Sequence, residues 1–235
     1  MVYITGDVHG RCEKIERFIF DMRPKTTDTF IILGDVGANY YSGKKDKAFK
    51  ELLERHKIDM LCIHGNHENR PQNISTYKTK VWNGGLVWYE DEYPHLLFAK
   101  DGEIYTIEGK RYFVIGGAYS VDKFYRIERH YAWWEDEQPS DEIKRYVEEQ
   151  AEKVQSVDFV LTHTCPLKYV PHEAFLSFID QSTVDNSTEI WLDKIEEALN
   201  YTAWFCGHWH IEKRIDKIHF IFDKFEVVEN GEAFG

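Results

Sequence analysis

The chain is short of every feature that would take it out of the ordinary globular class. Only four cysteines occur, Cys12, Cys62, Cys165 and Cys206. None forms a CxxC pair or has the spacing of a secreted disulfide framework, so they read as reduced thiols, small apolar residues at strand ends rather than metal ligands. Six prolines and 15 glycines are too few for a linker-rich or low-complexity chain. No apolar run approaches the ~20 residues of a membrane span, and no leader of basic and then apolar character precedes the first polar motif. That motif begins at Gly6, so a cleaved presequence would remove it; the expectation is a cytoplasmic protein that starts at or near Met1. Positive charge is scarce as well. With 29 basic and 41 acidic side chains the net charge is −12, which argues against a surface that attracts nucleic acid by general electrostatics. There is no internal repeat and no linker, and 235 residues suit one domain spanning 1–235.

What is present is a series of short apolar runs separated by helical spacing: VYIT at 2–5, FIIL at 30–33, LCI at 61–63, DFVL at 158–161 and AWFC at 203–206. Runs of this length without polar alternation read as strands buried on both faces. Between the first two, Cys12, Ile15, Phe18, Ile19 and Met22 keep helical spacing until Pro24, and Ala48, Phe49, Leu52 and Leu53 do so before the third. The order βαβαβ predicts a parallel sheet. Over 86–117 closely spaced strands with turn signals predict an antiparallel second sheet. A helix is expected after Ser140 as N-cap, and another near Asn186, where Glu189 suggests a capping box. The segment 212–229 reads as a hairpin around Asp223-Lys224.

The apolar runs end alike, in Gly6-Asp7, Gly34-Asp35, Gly65-Asn66, Thr162-His163 and Gly207-His208. Each places a side chain able to bind a metal where a strand stops, and ligands of α/β sheets gather outside the carboxyl ends of strands. Two ends offer a further ligand two residues on, His9 and His210; on an extended backbone such pairs project to one side. Carboxylate, amide and imidazole donors without thiolates suit manganese, iron, zinc or nickel better than calcium or a structural zinc. Taken singly, an Asp after Gly is a turn residue and a strand-end His is a core residue. Their joint recurrence at five strand ends outweighs that reading. His56, His95, His130, His172 and His219 lack the context, and His64 is expected to point away from it.

GDVHG at 6–10, GD at 34–35, GNHE at 65–68, the His of LTHTCP at 161–166 and GHWH at 207–210 together resemble the motif series of the calcineurin-like metallophosphoesterases. The resemblance spans residues 6 to 210. It implies an α/β fold, a four-layer α/β/β/α sandwich with two mixed sheets and the metal site at the strand C-terminal ends. It also implies that Asp7, His9 and His210 hold one metal, that Asn66, His163 and His208 hold the other, and that Asp35 bridges them. Two divalent transition-metal ions follow, manganese first, with iron, zinc or nickel as other candidates. Attack by a hydroxide between the metals and protonation of the leaving oxygen by His67 complete the implied chemistry.

The sequence also departs from that pattern. Many relatives continue the second motif as GDxxD or GDxVDRG, whereas here it runs Gly34-Asp35-Val36-Gly37-Ala38-Asn39-Tyr40. His67 thus lacks an aspartate partner; Asn39 is the expected neutral substitute, and a Ser/Thr protein phosphatase of the calcineurin type is disfavoured. For phosphate contacts Arg70 is the first candidate, with Arg126 and Arg129 on the rim as second choices. The AWWEDE stretch at 132–137 is expected to pack rather than to stack on substrate. The reading is hydrolysis of small phosphomonoesters or phosphodiesters, nucleotides included. The alternatives are a nuclease or nucleic-acid end-processing enzyme with the same two metals, and an inert protein-binding scaffold of the same fold. Oligomeric state, natural substrate and mono- against diesterase preference are not encoded in any motif.

Overall fold

The structure, a computed structural model, describes residues 1–229 and 232–234, with 229 and 232–234 described by their backbone alone. Strands β1 (Val2–Thr5), β2 (Thr29–Ile32) and β3 (Asp59–Cys62) alternate with helices α1 (Cys12–Met22) and α2 (Lys44–Glu54). They pair in parallel, Ile4 beside Ile31 and Ile31 beside Leu61. Pro24 closes α1 behind Arg23, whose left-handed backbone forms the cap. On one side of this core β13 (Phe225–Glu229) runs antiparallel to β1, with β14 (Glu232–Phe234) beyond it. On the other, β6 (Tyr93–Ala99) is parallel to β3, followed by β5 (Gly85–Glu90) and β4 (Lys78–Trp82).

The second sheet has the order β11 (Lys213–Ile215), β12 (Ile218–Phe220), β10 (Ala203–Cys206), β9 (Phe159–Thr162), β8 (Lys110–Ile115) and β7 (Ile104–Ile107). Both sheets are mixed. Their strands alternate between two apolar faces, which is why they read as continuous hydrophobic runs. Ile4, Ile31, Leu61, Leu161 and Phe205 meet between the sheets, whereas Tyr3, Phe30 and Met60 turn outward to the layer of α1 and α2. Val160 and Trp204 turn to the layer of α4 (Asp141–Val154) and α5 (Ser187–Ala198). Three cores make four layers, and the order is the expected α/β/β/α.

Several local expectations are corrected. The strands of 86–117 do not form one sheet: β5 and β6 extend the first, and β7 and β8 edge the second. The C-terminal hairpin turns at Asp216-Lys217, between β11 and β12, while Asp223-Lys224 lies on the crossover from one sheet to the other. Ser140 does cap α4, accepting from the Ile143 amide at 3.3 Å. No capping box forms at α5, where Asn186 makes no side-chain cap and Glu189 instead accepts a hydrogen bond from the Thr164 hydroxyl at 2.8 Å. A short helix, α3 (Lys123–Glu128), has no buried residue and lacks the apolar stripe that would announce it. All four cysteines are free and buried. Among the described residues no helix is long and apolar enough to cross a membrane.

Candidate metal centre

The carboxyl ends of β1, β2 and β3 and those of β9 and β10 open on the same cleft, so Asp7, Asp35 and Asn66 come from one sheet and His163 and His208 from the other. The glycines explain why the dipeptides recur. A Cβ on Gly34 would strike the His163 ring, one on Gly65 would strike Asp35 Oδ1, and one on Gly207 would strike Asp7 Oδ1. Each glycine therefore clears the place of a side chain from a different motif.

The expectation that Asp7/His9 and His208/His210 pair along extended backbone is not met. His9, His208 and His210 have φ of 50°, 65° and 53°, and Asp35 has 48°. The chain curls after each strand to bring the paired side chains together, a conformation unusual for residues with a Cβ and concentrated at functional sites.

The donor atoms fall into two groups. His210 Nε2 lies 3.0 Å from Asp7 Oδ2 and 3.0 Å from His9 Nε2, with 3.5 Å between His9 Nε2 and Asp7 Oδ2. Asn66 Oδ1 lies 2.8 Å from His163 Nε2 and 3.0 Å from His208 Nδ1. Ligands at ~2.1 Å from one tetrahedral or octahedral ion are roughly 3.0–3.4 Å apart, so both groups have the span of a coordination shell. Asp35 Oδ2 stands between them, 3.9 Å from His9 Nδ1 and 3.7 Å from His163 Nε2.

Surrounding contacts orient these donors. His163 Nδ1 lies 2.7 Å from the Leu33 carbonyl oxygen, a backbone acceptor that orients the ring with Nε2 toward Asn66 Oδ1; a backbone-held imidazole of this kind is a common arrangement for a metal ligand. Asn66 Nδ2 donates to Ser120 Oγ at 2.9 Å, turning its oxygen to the cleft. The Asp7 and Asp35 Oδ1 atoms accept from the amides of His208 and His67, each at 2.8 Å, so the Oδ2 atoms remain for the cleft. Burial of Asp7 opposes its ionisation, yet hydrogen bonds from His210 and His9 hold its carboxyl well below the usual range. Burial, reinforced by His163, pushes His208 well down, leaving it neutral as a ligand must be.

His67 lies at the cleft with its ring 5.7 Å from that of His9. Burial lowers its pKa, Asp35 opposes the change, and Arg126 adds to it. Asn39 is not its partner: it is buried, accepts from the Tyr77 hydroxyl at 3.0 Å, and has its backbone amide on Asp46. Arg126 from α3 comes to His67 instead, with Nη2 3.4 Å from Nε2; Asp122 and the Tyr40 hydroxyl hold the guanidinium in place. Arg70 is withdrawn from the cleft, buried and paired with Asp101 at 2.7 Å. Arg129 lies over the Tyr125 ring on the exposed side of the same segment. Trp133 and Trp134 pack as expected, on Glu137 and Tyr40 respectively.

Sequence reasoning missed Ser120, whose link to Asn66 spans 54 residues, and Glu189, which lines the cleft. No motif marks Ser120, and the sequence presents Glu189 only as a helix-capping residue. The cleft itself, about 450 Å³, is lined by the candidate ligands Asp35, Asn66, His208 and His210, by His67, and by the apolar Phe175, Leu176, Ile179, Val184, Trp209 and Ile211.

The sequence matches the model of the calcineurin-like phosphoesterase family over residues 1–212, and the chain belongs to that family. In general terms it is therefore a phosphoester hydrolase that depends on divalent metal ions. No curated protein matches the sequence. Among solved structures the crystal structure of TT1561 of Thermus thermophilus is similar, with 11% sequence identity, a TM-score of 0.50, and coverage of 94% of this chain and 87% of that one. At that identity the likeness concerns the fold alone.

Proposed function

We propose that the protein hydrolyses small phosphoesters, mono- or diesters and nucleotides among them, at a two-cation centre with manganese as the first candidate metal. Asp7, His9 and His210 hold one ion, Asn66, His163 and His208 the other, and Asp35 joins them. The single observation that carries this reading is the position of Asp35 Oδ2 within 4 Å of ligands from both groups, 3.9 Å from His9 and 3.7 Å from His163. A carboxylate shared between two cations offsets their repulsion. The ions, when bound, supply Lewis-acid polarisation of a phosphoryl oxygen and activation of water.

The chain's own residues do the rest. Arg126, already fixed by Asp122 and Tyr40, presents its charge where a phosphate oxygen would meet His67, a preorganised contact that costs little to order. His67, half-buried at the mouth, donates a proton to the leaving oxygen. The apolar wall formed by Phe175, Leu176 and Trp209 receives the organic part of the ester and keeps water from it. That wall, together with the net charge of −12, favours a compact organic phosphoester over a nucleic-acid chain. The ligand set likewise argues against an inert scaffold, since buried Asp7 and Asp35 are costly without cations. The test is stripped protein assayed on nitrophenyl phosphate, bis-nitrophenyl phosphate and nucleotides, with Mn, Ni, Co, Zn and Mg added separately. No activity with any metal on any ester would refute the proposal. A steep loss of DNA or RNA affinity with salt, joined to cleavage, would move it to the nuclease alternative.

A further inference from the structure

The cleft has more wall than the candidate ligands occupy, and that wall is built of rings. Two of them lead away from the candidate ligand His208: the Trp209 ring stands edge-on to it with centroids 5.3 Å apart, and the Phe175 ring stacks on Trp209 at 6.1 Å. Phe175, Trp209 and Ile211 are half-buried and rest on the core between the second sheet and α4 and α5. Phe175 is held further by its own turn, where its amide donates to the His172 carbonyl at 3.2 Å and the Ala174 amide to that of Pro171 at 2.8 Å. A wall anchored in this way is in place before a ligand arrives, so little has to be ordered on binding. The charge along it is one-sided. Among the described residues that line the cleft there is no lysine or arginine, whereas Asp122 and Asp185 both face it. Arg126, beside His67, is matched by Asp122 at 2.8 Å. Asp185 accepts from neutral donors, Gln138 Nε2 at 3.1 Å and the Ser187 amide at 2.9 Å.

Resting on the reading of the site as a phosphoester centre, we propose that this wall selects esters with one phosphoryl group and an uncharged, largely apolar organic part, an aryl group above all. Esters whose organic part carries a further phosphate or carboxylate are rejected. Phe175 and Trp209 form the shelf on which a ring lies, and Val184 and Ile211 bound it. A second anion beyond the reacting phosphoryl group would lose its water against apolar surface with no cation to receive it, and would meet the Asp185 carboxylate. Selectivity then has an attractive element, the ring shelf, and a repulsive one, Asp185. Nucleoside triphosphates and sugar bisphosphates fall outside the class.

The test titrates the manganese-loaded protein by calorimetry with methylphosphonate, phenylphosphonate and para-carboxyphenylphosphonate, which cannot be hydrolysed as esters, at a pH where each phosphonate is a dianion. Phenylphosphonate should bind about tenfold or more tighter than either of the other two. In Phe175→Ala the preference for phenyl over methyl should fall by about threefold or more. In Asp185→Asn the carboxyphenyl probe should gain about threefold on the phenyl probe; Asp185 is exposed, and an asparagine oxygen can still accept from the Ser187 amide. A phenyl probe no tighter than methyl, a carboxyphenyl probe as tight as phenyl, or a preference unchanged in either variant would overturn the inference and leave the phosphoester centre standing. If none of the three probes binds, the inference falls, and turnover of nitrophenyl phosphate by the same preparation then decides whether the phosphoester reading falls with it.

Discussion

Ser120 sits outside every motif, yet the orientation of Asn66 rests on it, and Ser120→Ala separates that role from mere packing. The serine is 1% exposed and accepts from Asn66 Nδ2 at 2.9 Å, while its own amide donates to Glu137 at 3.2 Å. Removing the hydroxyl leaves a buried amide N–H without a partner, at a cost of about 1–3 kcal/mol. In a chain of this length each kcal/mol lowers Tm by roughly 2–4 °C. The second consequence is chemical: nothing then prevents the Asn66 amide from turning Nδ2 toward His163 and His208, which presents N–H instead of an oxygen lone pair. Loss of a group that orients a ligand typically costs ~10–100-fold in metal affinity, or about 1.4–2.8 kcal/mol. Manganese titrations of binding and of activity, with melting curves of loaded and stripped protein, read both effects. One of two metal equivalents should weaken, kcat should recover at saturating manganese, and the stabilisation by metal should shrink. If both equivalents bind as in the unaltered protein, or if saturating metal fails to restore kcat, the assignment of Asn66 Oδ1 as a ligand held by Ser120 is wrong.

Further expectations concern the bridge, the proton donor and a buried acid. Asp35→Asn should reduce occupancy at both metal positions, whereas Asp7→Asn should harm mainly one; full two-metal content in the Asp35 variant by elemental analysis would contradict the bridging role. His67→Gln should cost ~10²–10⁴ in rate with a poor leaving group such as a ribose oxygen and far less with nitrophenolate, at unchanged metal content; equal losses on both substrates would make His67 a phosphate-positioning group instead. Because burial and Arg126 hold the pKa of His67 below its ordinary value, its acid form is lost as pH rises through that lowered value. Arg126→Met should move the basic limb of the rate profile upward, short of a full return because burial is the larger cause; a limb that stays put would remove Arg126 from the neighbourhood of His67 in solution. Burial pushes the Glu189 carboxyl up from 4.5 to about 7, so the folded state binds the extra proton and stability falls as pH rises from about 4.5 through 7, by roughly 3 kcal/mol. Denaturation of Glu189→Gln across that range should show a flatter dependence, and an identical slope in the two proteins would exclude Glu189 as its source.

The convergence of the candidate ligands was legible because each follows an apolar run that strand burial alone explains, and because a strand end in an α/β sheet is where polar groups can gather. What the runs could not convey is the backbone after the strand. His9 and His210 reach the cleft through left-handed turns, which residue spacing does not distinguish from extended chain. The partner of His67 was misassigned for a similar reason: Asn39 is near in sequence to Asp35, but Arg126 arrives from α3, a helix without a buried face. Arg70, three residues from His67, has the sequence position of a phosphate ligand, yet Asp101 captures it inside, a long-range pairing that a local pattern cannot contain. The division of 86–117 between two sheets was hidden because turn signals mark where strands end and not which sheet each strand joins.

The interlocked glycines have a consequence for how this site tolerates mutation. Gly34 makes room for His163, Gly65 for Asp35 and Gly207 for Asp7, so a methyl group added in one segment displaces a donor that another segment supplies. A scan of single alanine replacements should therefore show defects whose location in the chain and location in the metal shell disagree: Gly65→Ala should resemble a bridge variant, and Gly207→Ala a variant of Asp7. Segments related in this way cannot be exchanged one at a time with those of a distant homologue, and drift at Gly34 or Gly207 is constrained by side chains more than a hundred residues away.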